Sequence, residues 1–104
     1  MVKNLNSKEF QESLQNDDNA VIIDVRTKGE YFEGYIPGAI NVDIYSPDFA
    51  DKMIQMDKSK NYYVYCRSGG RSMAACQWMV ANGFQNVANL NGGIMAWNGE
   101  IKMD

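Results

Sequence analysis

The chain contains no histidine among its 104 residues. This absence excludes catalysis by a Ser-His-Asp triad or a Cys-His pair, because both use an imidazole as the general base. Any acid, base or nucleophile must instead be a cysteine, a carboxylate, a lysine, an arginine or the backbone.

Cysteine is also scarce, since Cys66 and Cys76 are the only thiols. Without histidine, two thiols cannot form an ordinary four-ligand zinc site, and neither a metal nor another cofactor is expected. Two cysteines do not make the disulfide framework of a small secreted protein, and apolar residues form 45% of the chain, enough for a core without disulfides. We therefore expect a reducing compartment.

Long apolar segments and an excess of positive charge are absent as well. The longest uninterrupted apolar run has five residues, Tyr62 to Cys66, whereas a membrane-spanning helix needs about 20. The N-terminal residues turn polar too early for a signal peptide. A net charge of -3 argues against a general surface for nucleic acid or anionic membranes. We expect a cytoplasmic protein with no nucleic-acid and no membrane partner.

What is present is an alternation of short strands and helices in a single domain, residues 1–104. Asn6 with Glu9, and Thr27 with Glu30, have the spacing of helix capping boxes, and Ser46 followed by proline predicts another helix start. The patterns predict strands at 20–25, 39–42, 62–65 and 86–90, and helices at 7–15, shortly after 27, at 46–55 and from the loop after 66 to a stop at 83. This alternation is typical of an α/β fold with three layers, in which helices cover both faces of a mostly parallel sheet of four to five strands.

The three arginines of the chain all follow predicted strands. Arg26 follows the first strong strand, and Arg67 and Arg71 follow the second. Ligands of parallel sheets bind outside the carboxyl ends of the strands, where these loops emerge. For Arg26 an ion pair with Asp24 or Glu30 is the favoured interpretation, because both carboxylates are near in sequence.

The segment from Cys66 to Ser72 is the most informative part of the chain. It places a thiol at the end of a buried strand, before two adjacent glycines and a helix. Successive backbone N–H groups can turn inward there and form an anion-binding nest. The helix N-terminus and two arginines add positive charge, which should lower the pKa of the Cys66 thiol and favour the thiolate. The alternative is that Cys66 is a small buried hydrophobic residue, as many free cysteines are.

Several fragments, taken in order, resemble a single-domain rhodanese over nearly the whole chain. They are Asp24 to Arg26, Glu30-Tyr31, Gly34 to Asn41, Cys66 to Ser72, Gly83-Phe84 and Leu90 to Trp97. The family usually has histidine where this chain has Tyr35. That position belongs to a structural signature, and we expect the change to have little effect on the chemistry.

The resemblance implies the three-layer rhodanese fold and a sulfurtransferase activity. Cys66 would take a sulfane sulfur from a donor such as thiosulfate or a protein persulfide, become a persulfide, and pass the sulfur to a thiol or to cyanide. Thiolate attack expels a stable anion, so this chemistry needs no histidine. The residues implied to bind the donor or the persulfide are Arg67, Ser68, Gly69, Gly70, Arg71 and Ser72, with the arginines holding an anionic donor.

Two other functions remain open. Cysteine phosphatases and arsenate reductases of related fold resemble C-x-x-x-x-x-R, whereas here Ser72 stands six residues after Cys66 and Arg71 stands five residues after it. The shorter loop fits a sulfur atom better than a phosphoryl group. Non-enzymatic binding modules of the family often lack the cysteine, and persulfide formation would distinguish them from an enzyme.

Cys76 could be read as a second redox thiol, but its position favours core packing. It lies on a predicted apolar stripe with Ala75, Met79 and Val80. The helical rise places it roughly 10 Å from the Cys66 loop, which is beyond disulfide reach.

Overall fold

Five strands alternate with four α-helices along the chain, and a computed structural model describes all 104 residues. The elements are β1 (Val2–Leu5), α1 (Ser7–Gln15), β2 (Ala20–Asp24), α2 (Lys28–Phe32), β3 (Ile40–Asn41), α3 (Phe49–Ile54), β4 (Asn61–Tyr65), α4 (Gly70–Ala81) and β5 (Asn86–Leu90), followed by a 3-10 turn at Ile94–Ala96. None of these helices has the length and apolar character needed to cross a membrane.

The strands form one sheet in the order β1-β5-β4-β2-β3, and every neighbouring pair is parallel. One face packs against α3 and α4 through a cluster that includes Met53, Cys76 and Met79. The opposite face packs against α1 and α2 through a second cluster around Phe10 and Tyr31. The predicted three-layer α/β fold is therefore confirmed, with a sheet that is entirely rather than mostly parallel.

The edge strand β1 is the one element that the sequence patterns do not predict. Its four residues, Val2 to Leu5, alternate apolar and polar side chains too briefly to stand out from a loop. The strand exists because it pairs with β5, in a register that places Val2 beside Val87 and Leu5 beside Leu90. Partners so distant in the chain leave no local signal.

Both predicted capping boxes are present. In α1 the Asn6 side chain accepts a hydrogen bond from the Glu9 N–H, and the Glu9 carboxylate accepts one from the Asn6 N–H, both at 2.9 Å. In α2 the same reciprocal pattern joins Thr27 and Glu30. These bonds satisfy N–H groups that a helix start would otherwise leave unpaired.

Helix α3 begins later than predicted. Ser46 is not its N-cap, because the Phe49 N–H donates to the Ser46 carbonyl across a turn that contains Pro47. The Ser46 hydroxyl contacts the Asp48 carboxylate instead, and Asp48 occupies the N-cap position without a side-chain capping bond. Ser46 and Pro47, which are typical of a helix start, therefore form a turn just before the helix.

The buried ion pair of Arg26 confirms the structural interpretation of that residue. The Arg26 guanidinium and backbone N–H donate to the Asp24 carboxylate at 2.7–3.1 Å, and a further guanidinium N–H donates to the Gly34 carbonyl at 2.6 Å. The Arg26 and Asp24 side chains are 6% and 0% exposed. Arg26 also lies over the Tyr65 ring, on the sheet face opposite Cys66.

Cys76 lies in the core, as its position on the helical stripe predicts. It is fully buried in the cluster between the sheet and helices α3 and α4, and its thiol lies 3.8 Å from the Ala88 carbonyl. Burial raises the pKa of Cys76 to about 12, so that this thiol stays protonated at neutral pH.

The Arg26–Asp24 pair provides the first test. Arg26→Met should lower the free energy of unfolding by about 3 to 5 kcal/mol, because it leaves the Asp24 carboxylate buried without its partner. Lys52→Met is the matched control, since it breaks an ion pair between half-exposed side chains, Lys52 and Asp48, and should cost about 0 to 1 kcal/mol. Urea unfolding measures both. Equal losses in the two variants would contradict a structural role for the buried pair.

Candidate active site around Cys66

The Cys66 thiol lies at the carboxyl end of β4, at the centre of a short loop that leads into α4. Its Sγ accepts hydrogen bonds from the Gly69 N–H at 3.1 Å, the Ser72 hydroxyl at 3.3 Å and the Ser72 N–H at 3.4 Å. Cys66 is 1% exposed. Three donors converging on one sulfur stabilise a negative charge on it.

Glycine at position 69 allows the loop to turn back toward the sulfur. Gly69 has φ +105°, a left-handed conformation that residues with a Cβ rarely adopt. Its carbonyl accepts hydrogen bonds from the Met73 N–H at 3.0 Å and lies 3.2 Å from the Ser72 hydroxyl. The Gly69 N–H is thus directed at Sγ, while the Gly69 carbonyl, which belongs to the next peptide group, bonds to the first turn of α4.

A second loop, which follows β5, forms hydrogen bonds with the backbone of the Cys66 loop. The Ile94 N–H donates to the Cys66 carbonyl at 2.9 Å, and the Met95 N–H donates to the Arg67 carbonyl at 3.1 Å. A Cβ at Gly93 would lie 2.3 Å from that Arg67 oxygen, so only glycine permits this approach. Gly93 therefore allows the second loop to come close enough to hydrogen-bond the carbonyls of the first.

The hydrogen bonds lower the pKa of Cys66. Burial by itself would raise the pKa of this thiol, but the Ser72 hydroxyl and the N–H groups of Ser72, Gly69 and Ser68 outweigh burial and bring it below its ordinary value. The predicted direction agrees with this result. The predicted N–H groups of the loop and of the helix start are among the causes, whereas the predicted arginine charges are not among the main contributions.

The two loop arginines have different surroundings. Arg71 forms a two-pronged ion pair with Glu30, at 2.8 and 2.9 Å, and its guanidinium lies 6.0 Å from the centre of the Tyr45 ring. Hydrogen bonding to Arg71 is the main cause that lowers the pKa of Glu30 to about 2. Arg67 is exposed and has no carboxylate within 4.0 Å.

The structure thus divides the predicted site residues into three groups. Gly69 and Ser72 contact the sulfur, whereas the side chains of Arg67 and Ser68 are exposed to solvent. Gly70 and Arg71 are the first residues of α4, where N–H groups have no acceptor within the helix. Residues that the motifs do not assign to the site include the backbones of Ile94 and Met95 and also Glu30, which the sequence suggests as a capping residue or a partner of Arg26 and not as a partner of Arg71.

Tyr35, which replaces the usual histidine, contacts the C-terminal segment. Its ring stacks on Tyr31 with a centroid distance of 4.2 Å, its hydroxyl donates to Asp104 at 3.0 Å, and its backbone pairs with Lys102. These contacts are structural, and none of them involves the Cys66 loop.

Cys66 lies in none of the three surface cavities, which have volumes of about 260, 270 and 360 Å³. The first lies between α1 and the sheet, and the other two border α1 elsewhere. A loop that surrounds one sulfur atom is suited to carrying a small group rather than enclosing a large substrate.

The family model described as the rhodanese-like domain matches residues 6–100. The chain belongs to the rhodanese-like family. A crystal structure of a rhodanese-like domain protein from Staphylococcus aureus superimposes with a TM-score of 0.85, at 30% sequence identity and 98% coverage of both chains. The fold and the order of the motifs are therefore those of the family.

Curated relatives of this rhodanese-like chain include proteins named as sulfurtransferases and proteins named as tRNA hydroxylases. YtwF of Bacillus subtilis, named provisionally as a sulfurtransferase, is 40% identical over 97% of this chain and 95% of its own length. A protein of Allochromatium vinosum named sulfurtransferase is 33% identical over 93% of this chain and 89% of its own. A tRNA uridine(34) hydroxylase of Oceanobacillus iheyensis is 37% identical, but the match covers 30% of that protein.

The second prediction concerns the hydroxyl that contacts the sulfur. Ser72→Ala should raise the pKa of Cys66, because it removes the strongest of the contacts that lower it. The thiolate would then disappear at a higher pH as the solution is acidified. Thiolate ultraviolet absorbance measures this, taken as the difference from Cys66→Ser. Ser68→Ala is the control, since that side chain is exposed, and equal titration of both variants would contradict the assignment.

Proposed function

We propose that this protein is a sulfurtransferase that carries a sulfane sulfur as a persulfide on Cys66. The observation that supports this most is the set of three hydrogen bonds from Gly69 and Ser72 to Sγ. They stabilise a thiolate without a histidine base. Relatives of full length that are named sulfurtransferases support the same class of enzyme.

In the first half-reaction the Cys66 thiolate attacks the outer sulfur of the donor. With thiosulfate, a bond forms between Sγ and the sulfane sulfur, the S–S bond of the donor breaks, and sulfite leaves with the electron pair. The Cys66 persulfide anion remains, and no proton is transferred. A protein persulfide would serve as donor in the same way, with a thiolate as the leaving group.

The persulfide adds one anionic sulfur beyond Sγ. The N–H groups of Gly70 and Arg71, at the start of the twelve-residue helix α4, are available to donate to this atom. Arg67, which is exposed and has no carboxylate partner, would attract an anionic donor. That Arg71 also helps hold the donor stays a prediction, since its charge is balanced by Glu30.

In the second half-reaction an acceptor attacks the outer sulfur of the persulfide. Cyanide would form a new carbon–sulfur bond, the S–S bond would break, and thiocyanate would leave while Cys66 returned to the thiolate. A thiolate acceptor attacking the protonated persulfide would become a hydropersulfide by the same exchange. Both acceptors leave the enzyme ready for another donor.

A phosphatase or arsenate reductase activity is less well supported by the loop. Ser72 occupies the position of the arginine in the longer phosphate-binding loops, and its hydroxyl contacts Sγ. Arg71, one residue earlier, contacts Glu30. A phosphoryl group would thus lack the free guanidinium that such enzymes direct at it.

The third prediction tests persulfide formation directly. Thiosulfate treatment should add one sulfur atom to Cys66 and none to Cys76, and a reductant should remove it. Intact-protein and peptide mass spectrometry measure the adduct and its position. No adduct from thiosulfate or from a hydropersulfide, or an adduct on Cys76 alone, would contradict the proposed activity and favour a binding module.

Two variants separate chemistry from folding in the same experiment. Cys66→Ser should abolish thiosulfate-to-cyanide turnover with little change in the thermal melt, since the hydroxyl fits the loop but cannot carry the sulfur. Cys76→Ser should keep activity per folded molecule and lose about 1 to 3 kcal/mol of stability, because it buries a hydroxyl. Full turnover by Cys66→Ser would overturn the mechanism.

A further inference from the structure

In two of the three arginines the positive charge is balanced by a carboxylate in an ion pair. Arg26 is paired with Asp24, and Arg71 is paired with Glu30. Arg67 has no carboxylate within 4.0 Å, although it lies in the same loop as Arg71. The Cys66 loop therefore contains one free guanidinium where the sequence contains two.

Arg71 is held in its ion pair from more than one side. Both carboxylate oxygens of Glu30 accept from it, and the Tyr45 ring lies 6.0 Å from its guanidinium carbon. Glu30 is itself fixed, because one of its oxygens also accepts from the Thr27 backbone N–H and hydroxyl. With side chains only 22% and 24% exposed, Arg71 and Glu30 form a partly buried ion pair with no net charge.

Donors of sulfane sulfur differ in the charge that they bring to this loop. Thiosulfate is a dianion when it reacts. A hydropersulfide reacts with a thiolate in its protonated form, R–S–SH. A bond forms between Sγ and the outer sulfur, the S–S bond of the donor breaks, and R–S⁻ leaves with the electron pair while the proton stays on the transferred sulfur. The local charge consequently acts strongly on the first donor and weakly on the second.

We propose that Glu30 is a donor-specificity residue, which neutralises Arg71 and thereby favours hydropersulfide donors over dianionic thiosulfate. This rests on the proposed sulfurtransferase activity and specifies its donor class. Glu30 acts through Arg71 and is a positioning residue rather than a catalytic one. Its effect is electrostatic, and it must therefore depend on the charge of the donor and on ionic strength.

The test is a comparison of kcat/KM for thiosulfate and for cysteine hydropersulfide at one pH and low salt, with cyanide as the acceptor. Glu30→Gln keeps an oxygen for the Thr27 N–H but removes the charge. The ratio of the thiosulfate value to the hydropersulfide value should rise about threefold to tenfold, because one freed unit charge acts on a dianion. Any effect on the Cys66 thiolate itself cancels in this ratio.

Glu9→Gln is the matched control, since Glu9 has the same capping-box position in α1 and has no arginine partner. It changes the net charge equally and should leave the ratio unchanged. Added salt should reduce the ratio more steeply in Glu30→Gln than in the parent. Arg71→Gln provides a second measurement should Glu30→Gln fold poorly, because it leaves the Glu30 charge unbalanced and should lower the ratio.

The outcomes separate the two proposals. A ratio that is the same in the parent, Glu30→Gln and Arg71→Gln would overturn the role of Glu30, while a reductant-labile sulfur on Cys66 from either donor would still support the transferase. A rise in the ratio with Glu9→Gln as large as with Glu30→Gln would also overturn it, because the effect would then be one of net charge. Absence of any Cys66 persulfide would overturn the proposed function itself.

Discussion

The direction of the peptide groups around Cys66 is the constraint on which the site depends. The Arg67 carbonyl bonds to the loop after β5, and the Ser68 N–H of the same peptide group is among the donors that lower the pKa of Cys66. A peptide group cannot direct its donor and its acceptor to the same side. Capture of the Arg67 carbonyl by the Met95 N–H therefore helps to direct a donor toward the buried sulfur.

Local signals predicted most of the scaffold. The capping boxes of α1 and α2 involve residues three apart, and the strands at 20–24, 61–65 and 86–90 are apolar enough to be recognised without their partners. Prediction fails where the deciding contact is distant or where the same local signal suits both a helix start and a turn. β1 depends on pairing with β5, and Ser46-Pro47 forms a turn instead of beginning α3.

The candidate site was predictable to the same extent. The glycine-rich segment after β4 marked Cys66 and its donors, because the motif is contiguous. The partner of Arg71 was not predictable, since Glu30 lies 41 positions away and already had a sufficient explanation as a helix cap. Because Glu30 both caps α2 and pairs with Arg71, its spacing from Thr27 reveals only the first of these roles in the sequence.

The long-range assembly of the site also determines when it can appear during folding. Glu30, the Cys66 loop and the Ile94 loop follow β2, β4 and β5, which are adjacent in the sheet but pair in parallel, so each pairing must first close a long crossover. Contacts of this kind form slowly compared with local helices. During synthesis the chain therefore carries an ordinary thiol at position 66, and the hydrogen bonds that lower its pKa form only when the central strands have come together.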